Sequence, residues 1–247
     1  MKNSVKAIVT GHTKGLGAAL ASALLCRQIP VLGLARGHSD TFSHEFPQLC
    51  RQTAISLDDP AAIANWLATS ELADYLDGCT QLLLINNAGI VHPVGALLDQ
   101  DPLAVAKAIT LNVAAPLMLA AAVVHATPGK QRRILHISSG AARTAYPGWS
   151  VYCATKAALD HHARAVALDG HEGVRICSLA PGVIDTGMQA EIRATPDERF
   201  PIRQRFVDMK EGGQLATPED SAKLIIDYLL ADSFGHKPVD DIRSVTN

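Results

Sequence analysis

Residues 5–17 read Val5-Lys6-Ala7-Ile8-Val9-Thr10-Gly11-His12-Thr13-Lys14-Gly15-Leu16-Gly17, and the fold follows from them. A β-branched apolar run ends in a glycine-bearing turn that opens directly into an Ala/Leu-rich stretch reaching about Gln28, which is the pattern of strand, tight turn and helix. The glycines let the backbone turn sharply and come close to a ligand. The helix start then offers unpaired N–H groups and the positive end of its dipole to an anion such as a pyrophosphate. Taken alone, incidental glycines in a βα turn would read the same way.

Working outward, short β-branched runs alternate with longer helical stretches. Strands are expected at 31–35, 53–57, 81–85, 133–138 and 174–179, with helices at 60–76, 102–126, 151–168 and 218–230. The last helix opens on Thr217-Pro218-Glu219-Asp220, an N-cap, an N1 proline and two early acids. Regular alternation of this kind implies an α/β chain with one doubly wound parallel sheet and helices on both faces, its ligands lying beyond the carboxyl ends of the strands. A single domain over residues 1–247 is expected. Residues 184–214 lose the rhythm and turn polar, with Gly187, Pro196, Pro201, Gly212 and Gly213 as punctuation, and are read as a substrate lid.

Composition narrows the function. A chain of 247 residues with 48% hydrophobic content can bury a full core. The net charge of -2, with Lys and Arg scattered, lacks the basic stripe that a phosphate backbone requires, so nucleic acid is not an expected partner. The five cysteines show no CxxC spacing, which argues for a reducing compartment and against a zinc site. The histidines show no metal-ligand spacing either, since His161 and His162 are adjacent and point to different helix faces. The longest apolar run, 113–124, contains Pro116 and falls short of the ~20 residues that span a bilayer. The apolar stretch 7–9 ends at once in the glycine turn, unlike a signal peptide. A cytoplasmic, membrane-free protein with no metal is expected.

Two further residues carry chemistry. Tyr152 and Lys156 stand at i and i+4, hence on one helix face, so an ammonium near the phenol is expected to lower its pKa from about 10 toward neutrality. A phenol tuned in that way would serve as a general acid for a carbonyl oxygen.

Thr10-Gly11-x-x-x-Gly15-x-Gly17, then Asn86-Asn87-Ala88-Gly89, Asn112, Ser139, Tyr152-x-x-x-Lys156 and Pro181-Gly182 occur in one order along nearly the whole chain. That series resembles the short-chain dehydrogenases/reductases, a Rossmann-fold family. The resemblance implies a nicotinamide cofactor held by Gly11, Thr13, Lys14, Gly15, Leu16, Gly17, Asn87, Ala88, Gly89, Pro181, Gly182 and Thr186, with Tyr152 and Lys156 also touching it. It implies Tyr152 as the proton donor, Ser139 as hydrogen-bond donor to the reacting oxygen, Lys156 on the nicotinamide ribose, and Asn112 holding a water in a relay through Lys156. It also implies a homodimer or homotetramer, because the helices bearing Asn112 and Tyr152 form subunit contacts in the family.

Cofactor choice is read at the end of the second strand. An acid there would accept from a ribose 2′-hydroxyl, but Ala35 is followed by Arg36. With Lys14 as a second cation, NADP(H) is expected. Where the family usually has an Asp facing the adenine, this chain offers Ser56 or Asp58.

Within the family, residues 82–89, 137–142, 148–153 and 185–189 look like the sepiapterin reductase and benzil reductase branch. That likeness implies reduction of an activated ketone, a 1,2-diketone or pterin side chain. Gly140, Trp149 and Met188, with Ile192 and Tyr146, would then line a flat substrate, beside Ser139 and Tyr152. Asp240 is either an anchoring acid for that substrate or a surface aspartate. An NAD(P)-dependent alcohol dehydrogenase of another branch, and a cofactor-binding sensor without turnover, are the alternatives. Sensors of that type usually lose the Tyr or the Lys, and both are present.

Overall fold

The computed structural model describes residues 4–245, so the outermost residues of the domain expected over 1–247 lie outside it. Seven parallel strands form one sheet in the order β3-β2-β1-β4-β5-β6-β7. They are β1 (Val5–Thr10), β2 (Val31–Ala35), β3 (Cys50–Ala54), β4 (Gln81–Asn86), β5 (Gln131–Ile137), β6 (Val174–Ala180) and β7 (Val239–Asp241). The inner strands are almost wholly buried, as continuous apolar runs must be when helices cover both faces.

On one face pack α1 (Gly15–Leu25) and, much later in the chain, α10 (Pro218–Leu230), through Leu20, Leu24, Ile225 and Leu229. The other face carries α3 (Pro60–Leu67), α4 (Glu71–Leu76), α6 (Ala115–Ala126) and α7 (Ser150–Asp169). The short α2 (Asp40–Glu45) follows β2 and is capped by Ser39. Asp59, Asp101 and Thr217 cap α3, α5 (Pro102–Ile109) and α10, each just before a proline at the helix start, so three helix starts are written locally.

Several expected boundaries move. The third strand pairs over Cys50–Ala54, while Ile55 and Leu57 lie beyond the ladder and are buried; apolar density marks that buried tail better than a half-exposed edge strand. The helix expected over 60–76 is two helices, α3 and α4, broken where the Thr69 hydroxyl donates back to the Trp66 carbonyl at 2.7 Å. The stretch Pro102–Ala126 is helical throughout, with a π-turn at Thr110–Ala114 between α5 and α6. At 25 residues it is long and apolar enough to cross a membrane by length and composition, contrary to the short apolar run expected. Its Ala108, Ala115, Leu119 and Val123 are buried instead in the body of the protein. The segment expected as a lid holds two helices, α8 (Gly187–Ala194) and α9 (Arg203–Glu211). A last short helix, α11 (Ile242–Val245), follows β7.

Beneath the sheet's carboxyl edge lies a buried polar string. Asn86 Nδ2 donates to His136 Nδ1 at 3.1 Å, and since an amide NH2 only donates, His136 carries its proton on Nε2, 3.1 Å from His162 Nδ1. Burial pushes the His136 pKa down to about 3. An unfolded chain takes up a proton near pH 6.5 that the folded chain refuses, so stability from His136 is present above that pH and falls as pH drops below it. The expected loss is about 1.4 kcal/mol per pH unit. Urea unfolding of the wild type and His136→Gln between pH 7 and 5 checks this, with the variant showing the shallower dependence.

Candidate active site

The carboxyl ends of β1 and β4 are clamped together at the point where the strand order reverses. Thr10 Oγ1 accepts from the backbone N–H groups of Asn87 (2.9 Å) and Ala88 (3.0 Å), and Asn87 Nδ2 donates to the Thr10 carbonyl at 3.0 Å. Gly11 and Gly15 adopt φ of 69° and 54°, which only glycine takes up without strain. A Cβ on Gly17 would stand 2.1 Å from the Gly11 carbonyl oxygen, so the loop closes onto its helix only through glycine.

A cavity of about 980 Å³ opens above this clamp, at the upper end of the ~300–1,000 Å³ usual for ligand sites. All thirteen residues expected to touch the cofactor from the loops line it: Gly11, Thr13, Lys14, Gly15, Leu16 and Gly17; Arg36; Asn87, Ala88 and Gly89; Pro181, Gly182 and Thr186. The start of α1 has no side-chain cap and no acidic residue in its first turn. Its N–H groups are therefore available to an anion, with the exposed Lys14 and Arg36 beside it. That donor set fits a dinucleotide diphosphate.

At the middle of the cavity α7 presents Tyr152 and Lys156, 7% and 4% exposed. Ser139 follows β5 and caps the turn Gly140–Ala142, its Oγ accepting from the Ala141 N–H at 3.2 Å. The expected lowering of the phenol pKa is not what the site does. Burial pushes Tyr152 up to about 12, opposed by its hydrogen bond with Ser139, while the Lys156 ammonium is anchored on the Ile137 carbonyl at 2.8 Å and lies 5.7 Å from the ring centroid. Burial also pushes Lys156 down to about 8, opposed by the Asp160 charge. Tyr152 is thus held as a neutral phenol at physiological pH. Asn112 sits in the π-turn off the cavity wall, its amide accepting from the Ile90 N–H (2.9 Å) and donating to the Ile90 carbonyl (2.8 Å) and Thr155 (3.2 Å). Across Gly89 it neighbours Lys156 Nζ.

The far end is aromatic. Trp149 stacks on Phe200 at 4.6 Å and meets Tyr152, Tyr146 and Phe206 within 5.6 Å between ring centroids. Met188, Ile192 and Gly140 line the same space, together with Phe206 and Met209 from α9. The structure puts Asp240 elsewhere: its carboxylate accepts from the Asp241 N–H and the Ser244 hydroxyl, and it faces an outer hollow with Arg164 and Lys237. Of these two neighbours it is Asp241 that lines the cavity, paired with Arg243 at 2.6 Å, which holds its carboxyl below the usual range. Alternation along β7 makes this a choice between neighbours that sequence alone could not make. At the opposite end Asp58 rather than Ser56 lines the cavity. The Ser56 hydroxyl donates to Asp58, holding its carboxyl below the usual range, and Lys107 lies 3.1 Å away. Lys107, Arg205, Phe206 and Arg243 carried no sequence signal, since each reaches the cavity from a distant element.

The chain is similar to known proteins. Residues 5–197 match the family model described as short chain dehydrogenase. The chain is 32% identical to a benzil reductase ((S)-benzoin forming) of Bacillus cereus, over 92% of this chain and 94% of that one. It is also 32% identical to a sepiapterin reductase of Xenopus laevis, over 94% and 92%. A crystal structure of a short-chain dehydrogenase/reductase from Burkholderia vietnamiensis, 48% identical, covers 99% of this chain and 100% of its own with a TM-score of 0.72. The glycine clamp, the Ser139, Tyr152 and Lys156 group and these likenesses together make the chain a member of the short-chain dehydrogenase/reductase family, in the branch of the benzil and sepiapterin reductases.

Proposed function

We propose that the protein is an NADPH-dependent reductase of activated ketones, a carbonyl flanked by a second carbonyl as in a 1,2-diketone or a pterin side chain. The observation that carries the reading is that Ser139, Tyr152 and Lys156 converge on one cavity walled by Trp149 and Phe206. A phenol within hydrogen-bond reach of a carbonyl oxygen can donate its proton to that oxygen as hydride reaches the carbon.

A reduced nicotinamide, when bound, supplies the hydride. Tyr152 Oη gives its proton to the carbonyl oxygen, and the Ser139 hydroxyl donates a hydrogen bond to that oxygen as negative charge gathers there. Lys156 orients the ribose, and with Asn112 nearby carries the replacement proton inward. Lys14 and Arg36 take the 2′-phosphate, which favours NADPH over NADH. Asp241, not Asp240, would hold the polar end of a pterin, with Asp58 beside the adenine and α8 and α9 closing over the substrate as a lid. Support for a homo-oligomer comes from Leu103 and Ile109 on α5 and Leu168 on α7, large apolar side chains exposed on the outer surface. Cytoplasmic residence is supported by five free cysteines.

NADPH oxidation followed at 340 nm with benzil and with sepiapterin tests the reading. Turnover of at least one is expected; cofactor binding without turnover of either would instead favour a sensor. Tyr152→Phe should lower kcat by about 10³-fold or more, with the NADPH Kd from fluorescence titration unchanged within a few-fold. Arg36→Asp should reverse the ratio of kcat/KM for NADPH and NADH, and an unchanged ratio would count against the phosphate site.

A further inference from the structure

Asp160 lies on α7 at 1% exposure, two turns beyond Tyr152 and one beyond Lys156. A buried carboxylate needs partners to offset the cost of losing water, and this one has three. Oδ1 accepts from the hydroxyls of Ser138 and Ser178, each at 2.7 Å, and Oδ2 accepts from Arg143 Nε at 3.1 Å. Ser138 and Arg143 bracket the short turn that begins at Ser139, so one carboxylate pins both ends of the segment carrying the hydroxyl that faces Tyr152. Arg143 then extends the tie by donating from Nη2 to the Asp240 carbonyl at 2.8 Å, and the next residue on β7 is Asp241, on the cavity wall.

We propose that Asp160 is a positioning residue for reduction, fixing Ser139 and the β7 wall relative to Tyr152 and placing a negative charge one helical turn from the Lys156 ammonium. The groups facing Lys156 are Tyr152 and Asp160 on its own helix, His136 from β5 and the neutral amide of Asn112 across Gly89. His136 stays neutral through the working range because burial pushes its pKa down to about 3, so Asp160 is the charge that opposes burial of the ammonium. The proposal rests on the reductase reading above for its kinetic arm alone.

Asp160→Asn is the test. It keeps an acceptor for the two serines, removes the charge, and turns an NH2 toward Arg143 Nε, where two donors cannot bond. Relative to wild type, kcat with benzil and saturating NADPH should fall about ten-fold or more, with KM changed less. The alkaline limb of kcat should move down by about one pH unit, the effect of removing an opposite charge nearby. Trace acetylation of Lys156 in the free chain, read by mass spectrometry against pH, should show the same downward shift. Wild-type kcat, limb and labelling profile in Asp160→Asn would overturn the proposal. A wild type that reduces no carbonyl would overturn the reductase reading while leaving the labelling arm decisive for Asp160. Should Asp160→Asn fail to fold, Arg143→Lys retains the charge but cannot span from Asp160 to the Asp240 carbonyl. It should lower kcat without moving the limb, and unchanged kcat would overturn the positioning role.

Discussion

Everything at the site depends on the hydrogen bonds that join β1 to β4 through Thr10 and Asn87. A doubly wound sheet opens a crevice where its order reverses, and the two strands flanking that crevice send their connections to opposite faces. Left to themselves the two turns would be free to drift apart. Thr10 Oγ1 instead receives two N–H groups from the β4 turn, and the Asn87 amide reaches back to the carbonyls of the β1 turn. The floor of the cavity is therefore a hydrogen-bonded unit, and the start of α1 is aimed by it.

That unit explains why so much was legible. Glycines at 11, 15 and 17 are demanded by backbone geometry within one turn, and a four-residue spacing puts Tyr152 and Lys156 on one helix face regardless of what surrounds them. The caps at Asp59, Asp101 and Thr217 are local in the same sense. What depended on distant partners was not legible. The edge strand β3 takes its register from β2, the choice between Asp240 and Asp241 depends on which way β7 faces, and Lys107 meets Asp58 from a helix about fifty residues further along the chain. The direction of the Tyr152 pKa shift was not legible for a related reason: an i,i+4 spacing predicts proximity, whereas desolvation, which dominates here, depends on the whole enclosure.

Burial acts on Tyr152 and Lys156 in opposite chemical senses that serve one end. It raises the phenol and lowers the ammonium, in each case favouring the neutral species. Carried to completion, that trend would leave a neutral phenol with no cation behind it. Asp160 opposes it for the lysine alone, because it lies one turn beyond Lys156 and two beyond Tyr152. The helix thus holds three titratable groups on one face in a graded order, and the order, more than any one group, separates donor from cation.

The same economy of elements shapes the substrate end. Trp149 is enclosed by four other rings, and such a cluster gains area burial without long flexible side chains that would have to be ordered on binding. Two of those rings, Phe200 and Phe206, come from the segment 184–214, so the polar stretch that breaks the strand-helix rhythm still contributes the apolar contacts that seat it on the domain. The same cavity is lined by Asp241 and Arg243, a charged pair. A ligand whose carbonyl reaches Tyr152 therefore meets both an aromatic wall and a charged pair. A flat molecule with one polar edge satisfies both surfaces at once, whereas a wholly polar one would leave the rings facing polar atoms and a wholly apolar one would strip water from the ion pair without replacing it.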